Sequence, residues 1–78
     1  MRYQEFYDAL TQREKQILNS VNAGLMNYQI AQRLGLSERT VETHRANAYK
    51  KVGVKDLQQL KEFLSHVDIL TGAVCRIG

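Results

Sequence analysis

Four stretches of this chain repeat apolar residues at the spacing of one α-helix face, and three of them stop at a glycine. In the first, Ile17, Leu18 and Val21 share a face and follow the run Leu10-Thr11-Gln12-Arg13-Glu14. That run is a capping box: Thr11 accepts from the backbone N–H of Glu14, and Glu14 reaches back to the N–H of Thr11. Leu10, just before the cap, is placed to pack on the stem of Lys15 or on Leu18, and Gly24 suits the left-handed C′ position that stops the helix. A second, shorter helix is predicted from an Asn27 N-cap to Leu34, with Ile30, Ala31 and Leu34 inward and Gly35 at its end. The third runs from about Glu38 to Val52 behind a Ser37 cap and ends at Gly53. The fourth runs from about Lys55 or Asp56 to His66, with Leu57, Leu60 and Leu64 on one stripe and Phe63 and Val67 beside it.

These elements predict an all-α, four-helix domain over residues 10–67. Residues 1–9, where polar and aromatic residues alternate, read as an arm or linker. The tail over 68–78 is compatible with a short helix docked on the core or with an extended end. Between the second and third helices lie only Gly35, Leu36 and Ser37. Two helices joined by so short a glycine-containing turn form a helix-turn-helix, although a helical hairpin without any partner has the same spacing.

The third helix has two unlike faces. Val41, His44, Ala48 and Val52 fall within about 60° of one direction at 100° per residue, forming the predicted buried stripe. Arg39, Thr43, Ala46 and Lys50 lie opposite, flanked by Glu42 and Asn47. Long Glu and Lys side chains usually cover a face meant only for solvent. Here Thr43 and Ala46 keep the centre short, so that another surface can approach closely.

Charge sharpens this. The chain carries a net +3. Arg33, Arg39, Arg45, Lys50, Lys51 and Lys55 against Glu38 and Glu42 put +4 within residues 27–55, while 1–26 is neutral and 56–78 carries −1. A positive excess confined to the helix-turn-helix is the electrostatic footprint of an anionic partner, nucleic acid first; a solvated face is the plainer alternative.

Composition narrows the class further. With 78 residues, one small core is available and a deep catalytic cleft is hard to build. No apolar run approaches the roughly 20 residues of a membrane span, and no signal-peptide core is present at the N-terminus. The single cysteine, Cys75, supplies neither an internal disulfide nor a cysteine-rich zinc site. His44 and His66 are far apart in sequence, and no phosphate-cradling glycine loop or carboxylate pair accompanies them. The expectation is a cytoplasmic protein without metal, cofactor or catalytic residues.

The stretch from Leu10 to Leu60 resembles the DNA-binding domain of the LuxR/FixJ/NarL family of bacterial transcription regulators. LTQREKQIL is similar to that family's L-T-x-R-E-x-x-V-L. GLMNYQIAQRLGLSERTVETHRANAYKKVGV is similar to its G-x-x-N-x-x-I-A-x-x-L-x-I-S-x-x-T-V-x-x-H-x-x-N-x-x-x-K-L-G-V. The resemblance implies sequence-specific binding of double-stranded promoter DNA, with the third helix in the major groove and the fourth pairing two copies, in solution or only on DNA. It implies base contacts at Glu42, Thr43 and Ala46, and backbone contacts at Asn27, Ser37, Arg39, Thr40, Asn47 and Lys51. Lys50 suits a phosphate by charge. Arg45 either reaches a base or packs its stem with Tyr49. Glu42 either accepts from cytosine N4 or pairs with Arg39 or Arg45, and many relatives carry a cation there; the acid resembles the FixJ side of the family. His44 is expected as a hydrogen-bonded core histidine rather than a ligand. Leu57, Leu60, Lys61 and Leu64 are the expected dimer contacts.

Family members often carry a phosphoacceptor or ligand-binding domain ahead of this module, and 78 residues hold neither. Two competing functions remain: a sigma-factor region contacting promoter DNA and RNA polymerase, and a protein-interaction module on the same fold, such as a regulator antagonist. Against the sigma factor stand the H-x-x-N spacing of His44 and Asn47 and the Lys51-Val52-Gly53-Val54 ending.

Overall fold

A computed structural model describes residues 3–67, and the expectations for residues 68–78 lie outside it. The described chain is helical throughout, with α1 Tyr3–Asp8, α2 Gln12–Asn22, α3 Asn27–Leu34, α4 Glu38–Val52 and α5 Leu57–Leu64. The four predicted helices are all present, and a fifth precedes them.

That fifth helix corrects the expected arm. Tyr3, Phe6, Tyr7 and Leu10 follow an i, i+3, i+4, i+7 pattern hidden beneath the apparent alternation. Tyr7 and Leu10 are buried, and the Tyr7 hydroxyl accepts from Asn19 Nδ2 at 3.1 Å. Tyr3 stacks on His66 at 4.4 Å between ring centroids and meets Phe63 edge-on at 5.7 Å, tying α1 to the end of α5. Phe6, by contrast, is exposed.

The capping box of α2 has the predicted form, with Glu14 N–H donating to Thr11 Oγ1 at 3.1 Å and Thr11 N–H to Glu14 Oε1 at 2.9 Å. At α3 the cap shifts by one residue. Met26 is the N-cap and Asn27 the first helical residue. The Met26 N–H is satisfied by Gln29 Oε1 at 2.8 Å, so the Asn27 side chain is released for other work. Gly35 closes α3 at φ +69°, a conformation costly for any residue with a Cβ, and the Leu36 N–H returns to the Ala31 carbonyl at 2.9 Å. This turns the chain sharply enough for Ser37 to cap α4 within three residues, its hydroxyl accepting from the Thr40 N–H at 3.1 Å. Asp56 caps α5 in the same way through the Gln59 N–H, and α5 stops at Leu64, two residues before the predicted end.

Helix α4 packs across α2 and α3, with α1 also against it and α5 on α2. Ile17, Leu18, Ile30, Val41, Ala48 and Leu60 are wholly buried where these helices meet. Each of the larger side chains, Ile17, Leu18, Ile30, Val41 and Leu60, is worth about 1.5–3 kcal/mol of transfer free energy. Val41, Ala48 and Val52 form the inner stripe of α4 as predicted, but His44 is only half-buried and has no hydrogen-bond partner among the described residues. The expected hydrogen-bonded core histidine is therefore not formed.

Candidate nucleic-acid interface

The core decides which side of α4 is left over. Arg39, Glu42, Thr43, Ala46, Asn47 and Lys50 are all exposed, and no other helix of the described chain covers them. Ala46 offers a methyl group alone. The Thr43 hydroxyl donates to the Arg39 carbonyl at 3.1 Å, one turn back. With its proton committed there, Thr43 presents a methyl and a hydroxyl lone pair outward, chemistry that suits a thymine methyl or an exocyclic amine better than an acceptor edge. Glu42 forms no ion pair among the described residues, so the expected pairing with Arg39 or Arg45 does not occur and its carboxylate is open.

At the start of α4, Ser37 Oγ and Thr40 Oγ1 share a hydrogen bond of 2.8 Å while Ser37 caps the helix. Both hydroxyls sit beside backbone N–H groups at a positive helix terminus, where anions are favoured. Arg39, next in line, is exposed.

Two of the predicted cations are engaged by the chain itself. Arg45 Nη1 donates to Asn27 Oδ1 at 3.0 Å, Arg45 Nη2 donates to the Tyr49 hydroxyl at 3.3 Å, and the guanidinium lies 5.3 Å from the Tyr49 ring centroid. The packing alternative weighed for Arg45 is the one found, extended by a link to α3. Lys51 was expected at a phosphate; its Nζ instead lies 2.9 Å from Glu14 Oε1, bridging α4 to the start of α2. Glu14 is the one buried charged residue among those described. Burial pushes its carboxyl up, but the Thr11 backbone N–H and the Lys51 ammonium outweigh this and hold it below its ordinary value. The capping box alone does not announce the burial of Glu14; its place on the same face as Ile17, Leu18 and Val21 does.

The expected dimer residues also divide. Leu60 and Leu64 point into the chain's own core, at 0% and 4% exposure, and are unavailable to a second copy. Lys61 Nζ donates to the Asn22 carbonyl at 2.9 Å, neutralising the free end of α2. Leu57 remains exposed, and with Gln58, Lys61 and Glu62 it lines a shallow open depression on the outer side of α5. Periodicity does not set Leu57 apart, because at 100° per residue it lies within about 20° of Leu64; it differs in standing in the first turn of α5.

The fold and this exposed strip define a helix-turn-helix domain whose second helix of the pair presents a short-side-chained, cation-flanked surface. The family model for "Bacterial regulatory proteins, luxR family" matches residues 8–64, and the chain belongs to that family. It is 40% identical over 78 residues to the transcriptional regulatory protein MctR of Rhizobium johnstonii, a match covering 99% of this chain and 34% of that protein. It is 51% identical over 51 residues to the transcriptional regulatory protein FixJ of Rhizobium meliloti, covering 65% of this chain and 25% of FixJ. Among solved structures, the response regulator StyR superposes with a TM-score of 0.80 at 38% identity, over 83% of this chain and 33% of StyR. The chain thus spans about a third or less of the length of these relatives. Among the described residues no helix is long and apolar enough to cross a membrane.

Proposed function

We propose that this domain binds double-stranded DNA sequence-specifically as the DNA-contacting part of a bacterial transcription regulator, with α4 in the major groove. The observation that carries the reading is the uncovered outer strip of α4, where Thr43 and Ala46 stand exposed between Arg39 and Lys50. A strip with short side chains at its centre admits base edges to within contact distance, while the cations at its ends sit at the height of the phosphates. Glu42, Thr43 and Ala46 are then the base readers. Ser37, Arg39, Thr40, Asn47, Lys50 and Asn27 hold the backbone. Lys51, bound to Glu14, supports the fold that presents them.

Two copies are proposed to assemble through the outer side of α5, centred on Leu57, and to read half-sites about one helical turn apart. RNA polymerase is the further partner this role implies. Fluorescence anisotropy with promoter fragments across a salt series tests the reading: affinity falls steeply as salt rises, because phosphate contacts release counterions. Absent or salt-insensitive binding overturns it and favours a protein-interaction module.

A further inference from the structure

The Arg45–Asn27 contact has a polarity that constrains what Asn27 shows to a ligand. A guanidinium has donors only, so the atom of the Asn27 amide that meets it at 3.0 Å is the carbonyl oxygen. The amide's other end, a two-proton donor, is thereby turned away from Arg45. Asn27 is the first residue of α3, next to the backbone N–H groups of the helix start, and it is half-buried rather than covered. Met26, not Asn27, is the N-cap, and the Asn27 side chain makes no hydrogen bond to the helix-start N–H groups among the described residues. Arg45 is itself fixed by a second bond to the Tyr49 hydroxyl and by its position over the Tyr49 ring, so it is a rigid support.

We propose that Arg45 is a positioning residue: it locks the Asn27 amide with its NH2 group outward, as a preset donor to a DNA phosphate, and does not itself read a base. This rests on the DNA-binding reading given above. A free asparagine amide presents oxygen or nitrogen with nearly equal ease, and an oxygen turned toward a phosphate repels it. Holding one of the two orientations removes that ambiguity before DNA arrives, which is preorganisation in the ordinary sense. Tyr49, one helical turn from Arg45, completes the support and touches no nucleotide. The same network ties the start of α3 to the middle of α4, so the phosphate donor and the base-reading strip move as one body.

The test has one arm without DNA and one with it. In the free protein, NMR relaxation of the Asn27 side-chain amide is measured in the wild type and in Arg45→Ala. The amide is rigid in the first and mobile in the second; equal order in both overturns the proposal, whether or not the protein binds DNA. In the second arm, a double-mutant cycle is built from Asn27→Ala, Arg45→Ala and the pair, on a fragment selected by the wild type. Asn27→Ala weakens binding roughly ten- to a hundredfold, the worth of one hydrogen bond to a charged acceptor. Arg45→Ala weakens it by a smaller factor, about two for an amide freed between two nearly equal orientations, with no change in base preference, and adds nothing in the Asn27→Ala background. Additive losses, or a changed preference at one base position, mean that Arg45 contacts DNA directly and overturn the proposal. Arg45→Lys restores part of the loss, because an ammonium also donates to Oδ1. Thermal melts of every variant identify any loss that comes from unfolding, and such losses are removed by measuring binding well below the lowest midpoint. Failure of the wild type to bind any fragment overturns the DNA-binding reading and leaves the first arm to decide the Arg45–Asn27 geometry.

Discussion

Replacing Lys51 by methionine keeps the aliphatic stem and removes the ammonium paired with Glu14. Breaking a fully buried ion pair by deleting one partner costs about 3–5 kcal/mol, whereas exposed pairs are worth about 0–1 kcal/mol. The Glu14 side chain is 6% exposed and that of Lys51 43%, so this pair lies between the limits. Water reaching the ammonium screens part of the attraction, which places the loss at about 1–2 kcal/mol. In a domain of this size each kcal/mol moves the melting temperature by roughly 4–8 °C, so Lys51→Met melts about 5–15 °C lower near neutral pH. The sign with pH follows from the carboxyl. Its folded pKa lies below the ordinary 4.5, so its stabilising contribution is fully present above that value and is lost as pH falls through the folded one. Acid therefore takes from the wild type what the substitution has already removed, and the two melting curves converge. Circular-dichroism melts over a pH series, from neutral to well below 4.5, follow this convergence. A gap that keeps its size across the whole series refutes the electrostatic account and leaves only packing by the lysine stem.

Four further outcomes follow from the same geometry. Leu60→Ala costs about 2–5 kcal/mol in denaturant unfolding because the side chain is wholly buried, while Leu57→Ala changes stability by less than about 1 kcal/mol. Sedimentation on a palindromic fragment should show that Leu57→Ala weakens assembly of the second copy; an unchanged two-to-one complex argues against the outer side of α5. Gly35→Ala, at φ +69° with open space around the Cβ, costs about 1–2 kcal/mol from backbone strain alone, and a thermal melt equal to wild type contradicts it. Thr43→Ala shifts preference at one base position in selections from random DNA, whereas Lys50→Ala weakens all sequences alike and lowers the salt slope by about one. Equal effects of both changes on every sequence contradict the assigned roles.

Most of the scaffold was legible because its signals are local. Thr11 with Glu14, Ser37 before Glu38, and glycines at 24, 35 and 53 mark helix ends through hydrogen bonds and backbone angles that need no distant partner. The inner stripe of α4 was legible for a similar reason, since Val41, Ala48 and Val52 repeat within one helix. What was not legible depends on a second element. Helix α1 is faint in sequence because its six residues carry the period only at Tyr3, Phe6 and Tyr7, and docking against Asn19 and Phe63 gives it a place. The exposure of Leu57, against the burial of Leu60 and Leu64 on the same stripe, depends on how far along α5 the core built by the other helices reaches.

The candidate site shows the same division, and it falls at the flanks of α4. At 100° per residue, Arg45 lies about 40° from Val41, within the inner arc but half-buried, and Lys51 about 80°, just outside it. A long cationic side chain at such an angle can turn either way, and the choice belongs to whatever acceptor the neighbouring helices supply. Asn27 supplies one for Arg45, and Glu14 supplies one for Lys51. Residues near 180°, such as Thr43, Ala46 and Lys50, have no such neighbour and keep the exposure that sequence assigns them. Counting cations on a helix thus overstates those free for phosphates, and the correction requires only the acceptors facing each flank. Here it gives Arg45 and Lys51 acceptors within the chain, and leaves Arg39 and Lys50 as the cations on the outer face of α4.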